Sequence, residues 1–251
     1  MSGVKRERAD KRVVEAGLAE SRTRAQALIM AGQVVFGDHT VDKPGALVPV
    51  DAEVRLKGEP MPYVSRGGLK LQKALDHFTI EVRGLRALDV GASTGGFTDC
   101  LLQRGVVAVC AVDVGHNQLA WKLREDPRVT SREGVNARRL DPASLPFVPD
   151  LAVCDVSFIS LTLVLPSLVA AVGTGGKPIV ALVKPQFEVG KGEVGKGGVV
   201  REPAKREAAI EKCRAAALAL GCTVVGVVES PITGPAGNVE YLLYLHTPRL
   251  Q

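Results

Sequence analysis

The feature that most constrains the fold of this 251-residue chain is a glycine-rich turn, Ala87-Leu-Asp89-Val-Gly91-Ala-Ser93-Thr-Gly95-Gly96-Phe97-Thr98. A short apolar run leads into it and a helical pattern leaves it, so it reads as strand, turn and helix. In doubly wound α/β folds the first such turn lies at the carboxyl ends of the strands, where ligands cross. The spacing is G-x-x-x-G-G, whereas dinucleotide binders use G-x-G-x-x-G to let a pyrophosphate approach a helix N-terminus. Asp89, just ahead of the loop, would repel an anionic cofactor. It suits a cationic sulfonium with an amino-acid tail, which points to S-adenosylmethionine. On this reading Asp89, Gly91, Ser93, Gly95, Gly96 and Phe97 are cofactor residues. The next strand ends on Asp113, whose carboxylate can accept two ribose hydroxyls of a nucleoside. Asn136 follows the third strand and is placed to border an adenine, and Asp155 ends the fourth.

From residue 86 onward apolar strands alternate with helical stretches. The strands are read at 86–90, 106–112, 129–130, 150–154, 178–183, 223–229 and 240–246, with helices at 96–104, 119–125, 161–172 and 202–220. Such alternation, with near-continuous Val/Leu/Ala strands, predicts a Rossmann-like α/β domain whose largely parallel, seven-stranded sheet is buried on both faces. A further helix is predicted over 67–78. Residues 8–57 differ in character. Two short helices end at Gly17 and Gly32, the second capped by Ser21, and short strands follow at 33–36, 40–41 and 53–56 with a turn at Gly37-Asp38. This is a small α+β module. Gly58-Glu-Pro-Met-Pro62 breaks both periodicities. The expected organisation is therefore a module over 1–60, a linker over 61–66 and the α/β domain over 67–251.

Composition narrows the function classes. The formal net charge is +5, compatible with an anionic partner without requiring one. Arg6, Arg8, Lys11, Arg12, Arg22 and Arg24 in the module, and Arg66 beyond it, can contact phosphates. Glu7, Asp10, Glu15 and Glu20 dilute that charge, so a solvated basic face explains the module equally well. Few aromatics are present, which favours recognition of shape and phosphate over an extended stacking platform. The five cysteines include no C-x-x-C pair and read as reduced, buried thiols, with no disulfide framework or metal site. No stretch approaches the ~18 apolar residues of a membrane span, and the start is too polar for a signal peptide. The expectation is a cytoplasmic protein with no membrane partner.

Two strand ends carry opposite charges, Asp155 and Lys184. Lys70 lies on the helix before the sheet, and Glu240 begins the last strand. Methyl transfer to a hydroxyl needs in-line geometry and a base, or a cation that stabilises the developing alkoxide. A lysine can do either. Spacing alone does not bring the four together, and a solvated salt bridge explains any one of them.

These residues sit in long ordered stretches: Val64-Ser-Arg-Gly-Gly-Leu-Lys70-Leu, Leu88–Thr98, Asn117-Gln-Leu-Ala-Trp121, Asp155-Val-Ser-Phe-Ile-Ser-Leu161, Leu182-Val-Lys184-Pro-Gln-Phe-Glu-Val-Gly-Lys191 and Gly234-Pro-Ala-Gly-Asn-Val-Glu240-Tyr. Through them nearly the whole chain resembles the bacterial S4-domain, FtsJ-like ribosomal RNA 2'-O-methyltransferases, the TlyA or hemolysin A family. The resemblance implies a class I methyltransferase domain behind an S4 RNA-binding module. It implies S-adenosylmethionine as cofactor and ribosomal RNA or ribosomal subunits as partner, with no obligate protein partner. The implied target is the ribose 2'-hydroxyl of cytidine. Lys70, Asp155, Lys184 and Glu240 would form the family's catalytic tetrad, with Lys184 acting on the hydroxyl proton, Asp155 orienting it, and Lys70 and Glu240 positioning the ribose. One departure is Met61-Pro-Tyr63-Val64, where some members carry Arg-x-Trp-Val before Ser-Arg-Gly. It bears on whether this segment regulates cofactor affinity. Two other readings are a membrane-lytic protein, suggested by the hemolysin name, and a non-catalytic ribosome-assembly factor.

Overall fold

The i, i+3, i+4 stripe of the second N-terminal helix needs a partner surface, and short strands supply it. The structure, a computed structural model, describes residues 5–37, 39–57, 61–190 and 192–249. It divides into two compact units, Met1–Met61 and Pro62–Gln251. In the first, β1 (Arg6–Arg8) leads into α1 (Ala9–Glu15), followed by α2 (Arg22–Met30), β2 (Val34–Phe36), β3 (His39–Thr40), β4 (Leu47–Pro49) and β5 (Val54–Leu56). Ser21 caps α2 by accepting the Arg24 N–H at 3.2 Å. Val13, Ala25, Leu28 and Ile29 pack with Val34, Phe36 and Val48. The strands β3, β2 and β5 form an antiparallel sheet in that order, and β1 pairs with β4 from Arg6↔Pro49 to Arg8↔Leu47. Neither β1 nor β4 is legible in the sequence. Arg-Glu-Arg has no apolar alternation, and its pairing partner lies some forty residues away. Asp38, in the expected turn, and residues 58–60, in the Gly58–Pro62 stretch that breaks both periodicities, lie outside the described residues.

The second unit runs α3 (Gly67–His77), β6 (Arg86–Val90), α4 (Gly96–Gln103), β7 (Ala108–Val112), α5 (Trp121–Arg124), β8 (Val129–Arg132), β9 (Leu151–Cys154), α6 (Leu165–Val172), β10 (Pro178–Val183), α7 (Pro185–Glu188), α8 (Pro203–Ala219), β11 (Thr223–Glu229) and β12 (Tyr241–His246). Its sheet has the order β8-β7-β6-β9-β10-β12-β11. Only β12 runs antiparallel to its neighbours, so the seven-stranded, largely parallel Rossmann-like sheet is as expected. Both faces are apolar because alternate residues of each strand enter different layers. Leu151, Val153, Val180 and Leu182 pack on one side with Leu71, Leu75 and Leu101. Ala152, Cys154, Ile179, Ala181 and Val183 pack on the other with Leu165, Leu168, Ile210 and Cys213. All five cysteines are buried and unbonded. Among the described residues no helix is long and apolar enough to cross a membrane.

Two boundaries differ from expectation for local reasons. The helix expected over 161–172 is a 3-10 turn, Leu161–Leu163, capped by Ser160, and α6 starts only at Leu165 with Pro166 in its first turn. The expected linker 61–66 is mostly integrated into the second unit. Tyr63 is buried and donates to Gln72 Oε1 at 3.1 Å, the Val64 N–H donates to Asp99 at 2.8 Å, and Gln103 donates to the Pro62 carbonyl. Its ring lies over Gly68, where any Cβ would stand 2.3 Å from Tyr63 Cγ.

Candidate active site at the carboxyl edge of the sheet

Strand β6 lies between β7 and β9, so the strand order reverses at its end and leaves a crevice there. The loop after β6 lines it. Gly91 has φ +83°, and a Cβ on it would meet the Asp155 carbonyl oxygen at 2.5 Å. Only glycine lets the ends of β6 and β9 come this close. Gly96, at the start of α4, is equally confined, with Ser65 Oγ 2.4 Å and the Gly68 nitrogen 2.8 Å from its would-be Cβ.

Two cavities meet over this loop. One, about 450 Å³, is lined by Gly91, Ser93, Asp113, Gln118, Asn136, Asp155 and Ser157, with apolar walls from Val112, Val135, Phe158 and Ile159. Its size and mostly apolar lining with a few polar groups suit a nucleoside-sized ligand. The Asp113 carboxylate is oriented by the N–H groups of Ser93, at 2.8 Å, and Gly115, at 2.7 Å. Each oxygen keeps a lone pair for a ribose hydroxyl. Asn136 caps a short 3-10 turn with its side chain and borders the same cavity. The donor set fits an adenosyl group with two ribose hydroxyls.

The second cavity, about 300 Å³, shares Gly91, Ser93, Asp155 and Ser157 with the first and adds Arg66, Lys70, Gly96, Phe97, Lys184 and Glu240. Here the four charged residues converge. Lys70 Nζ donates to Glu240 Oε2 at 2.6 Å and stands 3.7 Å from Asp155 Oδ2. Lys184 Nζ stands 2.6 Å from Asp155 Oδ1 and donates to Ser157 Oγ at 2.7 Å. The result is a chain of alternating sign, Glu240–Lys70–Asp155–Lys184, with Lys70, Lys184 and Glu240 buried. Four elements deliver it. Lys70 comes from α3, Asp155 and Lys184 from the ends of β9 and β10, and Glu240 precedes β12. Glu240 fits because Gly234, across the turn, has no side chain. A Cβ there would stand 2.5 Å from Glu240 Oε1.

Two expected cofactor residues are placed elsewhere. Asp89 alternates into the core and is fully buried, with Oδ2 accepting from Thr98 Oγ1 at 2.7 Å and Oδ1 without a partner. Burial pushes its carboxyl up to about 7, a rise that the nearby Asp155 and Asp113 carboxylates reinforce and the Thr98 bond opposes. Its charge therefore does not line either cavity. Gly95 faces Leu119 and Leu123, against which a Cβ would collide at 2.8 and 2.3 Å. It serves packing.

The expected phosphate contacts of the first unit are mostly engaged. Asp10 is inaccessible and accepts from Arg8 Nε and Nη2, Arg22 Nη2 and Gln26 Nε2 at 2.9–3.1 Å. The Arg8 bond above all, with Gln26 and Arg22, holds its carboxyl well below the usual range. Lys11 pairs with Glu7 and Arg12 with Glu15. Arg6 and Arg24 are exposed and, among the described residues, in no ion pair. Arg66 lines the second cavity, in the other unit.

Sequence reasoning missed Ser157, although it lies inside the stretch Asp155–Leu161 that stood out. It also missed Phe158, which is 92% exposed at φ +64° with its ring centroid 5.3 Å from that of Phe187. A bulky residue held at positive φ and left in solvent is a signal available only from the backbone.

Comparison with known proteins agrees with this architecture. Residues 63–247 match the FtsJ-like methyltransferase family, and residues 7–54 match the S4 domain family. The chain is 49% identical over 244 residues to the Mycobacterium tuberculosis 16S/23S rRNA (cytidine-2'-O)-methyltransferase TlyA, covering 97% of this chain and 91% of that protein. It is 40% identical to Hemolysin A of Brachyspira hyodysenteriae, covering 94% and 98%. A solved structure from Streptococcus thermophilus, described as a candidate hemolysin, superposes with TM-score 0.76 at 46% identity over 98% of this chain and 91% of that one.

Proposed function

This chain belongs to the TlyA family of S4-domain, FtsJ-like methyltransferases, and we propose that it methylates the 2'-hydroxyl of cytidine ribose in ribosomal RNA, acting on ribosomal subunits in the cytoplasm. The observation that carries this reading is the Glu240–Lys70–Asp155–Lys184 chain beside the Gly91 loop. S-adenosylmethionine supplies an electrophilic methyl group when bound. Gly91, Ser93, Asp113 and Asn136 would hold its adenosine part in the larger cavity.

The target ribose would enter the smaller cavity, where Lys70 and Glu240 position it. A ribose hydroxyl is a weak nucleophile, so its proton must leave as the oxygen–carbon bond forms. Lys184 in its amine form takes that proton, and Asp155 stabilises the ammonium that results. With Lys70, Lys184 and Glu240 buried, a ribose filling the cavity would displace water that competes for the proton. Arg8 and Arg22 of the S4 unit, with Arg66 at the cleft, would meet phosphates and contribute affinity with little choice of sequence. The exposed Phe158 ring at the rim offers a face to a base.

The test is methyl transfer from labelled S-adenosylmethionine to purified ribosomal subunits, followed by alkaline hydrolysis. Ribose methylation leaves the label in alkali-resistant dinucleotides. Label in mononucleotides would place the methyl on a base and overturn the reading.

A further inference from the structure

Lys184 meets its two neighbours in different ways. Its contact with Asp155 Oδ1 is close, 2.6 Å, but off the line of a hydrogen bond, and that oxygen makes none among the described residues. The bond to Ser157 Oγ at 2.7 Å is its one directional contact among the described residues. An ion pair without direction fixes where the nitrogen sits but not how it is turned about the Cε–Nζ bond, whereas a hydrogen bond fixes both. Ser157 also belongs to the small set of residues, with Gly91, Ser93 and Asp155, that line both cavities, so it stands at the seam between them.

We propose that Ser157 is a positioning residue that sets the rotation of the Lys184 amine, aiming its remaining position at the nucleophilic hydroxyl. The inference rests on the function proposed above. In the amine form, one N–H goes to Ser157 and one faces Asp155, leaving the lone pair as the group that meets the hydroxyl. When the hydroxyl proton moves to Nζ, all three hydrogens of the ammonium then have an acceptor or the new ether oxygen before them. Glu240 and Lys70 reach Lys184 only through Asp155 and contribute no direction to it. The hydroxyl of Ser157 is on a loop after β9 whose far end is tied down. Buried Glu188 accepts from Ser160 Oγ at 2.5 Å and from the Leu161 N–H at 2.6 Å. A hydroxyl on an anchored loop can hold a lysine still in a way that a mobile one cannot.

The experiment compares Ser157→Ala and Ser157→Thr in the full-length protein by three readings. These are single-turnover methyl transfer to ribosomal subunits, affinity for S-adenosylhomocysteine, and 13Cε relaxation of Lys184 in lysine-labelled protein. The expected result for Ser157→Ala is a fall in the transfer rate of about 10- to 100-fold, the scale of a misplaced catalytic group. Cofactor affinity should be unchanged and Lys184 more mobile, and Ser157→Thr should restore both rate and order. A rate unaffected by Ser157→Ala overturns the proposal. So does a loss confined to S-adenosylhomocysteine affinity, which would make Ser157 a cofactor ligand. If the wild-type protein methylates bases, the function above fails by itself, and the Lys184 relaxation then decides separately for or against Ser157.

Discussion

Two clusters in this molecule are made from the same kinds of residue and do opposite things with them. In the S4 unit one buried carboxylate, Asp10, gathers Arg8 and Arg22, whose side chains stay 49% and 58% exposed. In the catalytic unit two carboxylates alternate with two lysines, and no member exceeds 19%. The first arrangement buries the acid and presents the bases. Two guanidiniums against one carboxylate leave net positive charge on partly exposed side chains. Such an arrangement suits binding a polyanion. The second arrangement cancels its own charge and lies deeper, so small movements of a proton count for more. Burial of the cation, more than its presence, separates a group suited to holding a polyanion from one suited to moving a proton.

The largest effect that would break this comparison is expected at Lys184. Lys184→Ala should lower methyl transfer about 10³-fold, the range for loss of a general base, while gel-shift affinity for ribosomal RNA is retained. If RNA affinity falls with activity, the two clusters are not separable. Next is Gly91→Ala. With φ at +83° and the Asp155 carbonyl 2.5 Å from the new Cβ, the loop must shift, at a cost of about 1–3 kcal/mol in stability. Calorimetry should show S-adenosylmethionine affinity falling by about tenfold, a factor equal to 1.4 kcal/mol. Unchanged affinity would mean the loop does not hold the cofactor.

The S4 cluster should respond more gently. Arg8→Gln and Arg22→Gln should each weaken RNA binding and lower the slope of log affinity against log salt by about 0.7 to 0.9. The transfer rate at saturating RNA should stay the same. A change in that rate would assign these arginines to chemistry. The smallest effect is a slope with pH. Asp89 keeps its proton in the folded chain up to about pH 7, whereas an unfolded aspartate releases it near pH 4. The folded state therefore binds more protons between those values, and stability falls as pH rises through that window. Urea titrations of Asp89→Asn should lack that part of the decline. An identical slope in both proteins would show that Asp89 is not the group responsible.

Much of the catalytic unit was legible because its signals are local. A continuous apolar strand, a glycine turn and a following helix are read within a dozen residues, as at Arg86–Gln103. Asp155 and Lys184 are visible as charges that end apolar strands. What was hidden depends on direction or on distance in sequence. Asp89 reads as a cofactor residue until the alternation of β6 turns it into the core. The meeting of Lys70 with Glu240 spans 170 positions, and no spacing rule reaches that far. Resemblance to a family grouped the four residues. The structure supplied their distances and added Ser157. In the S4 unit the count of basic residues was plain, but the convergence of Arg8 and Arg22 on Asp10 was not, because ion pairing between separate elements leaves no periodic trace.

The most direct test of Lys184-dependent ribose methylation is nucleoside mass spectrometry of ribosomal RNA after incubation of unmodified subunits with S-adenosylmethionine and the protein. New 2'-O-methylcytidine should appear with the wild-type chain and none with Lys184→Ala. A base-methylated nucleoside, or 2'-O-methylcytidine formed equally by Lys184→Ala, would contradict it.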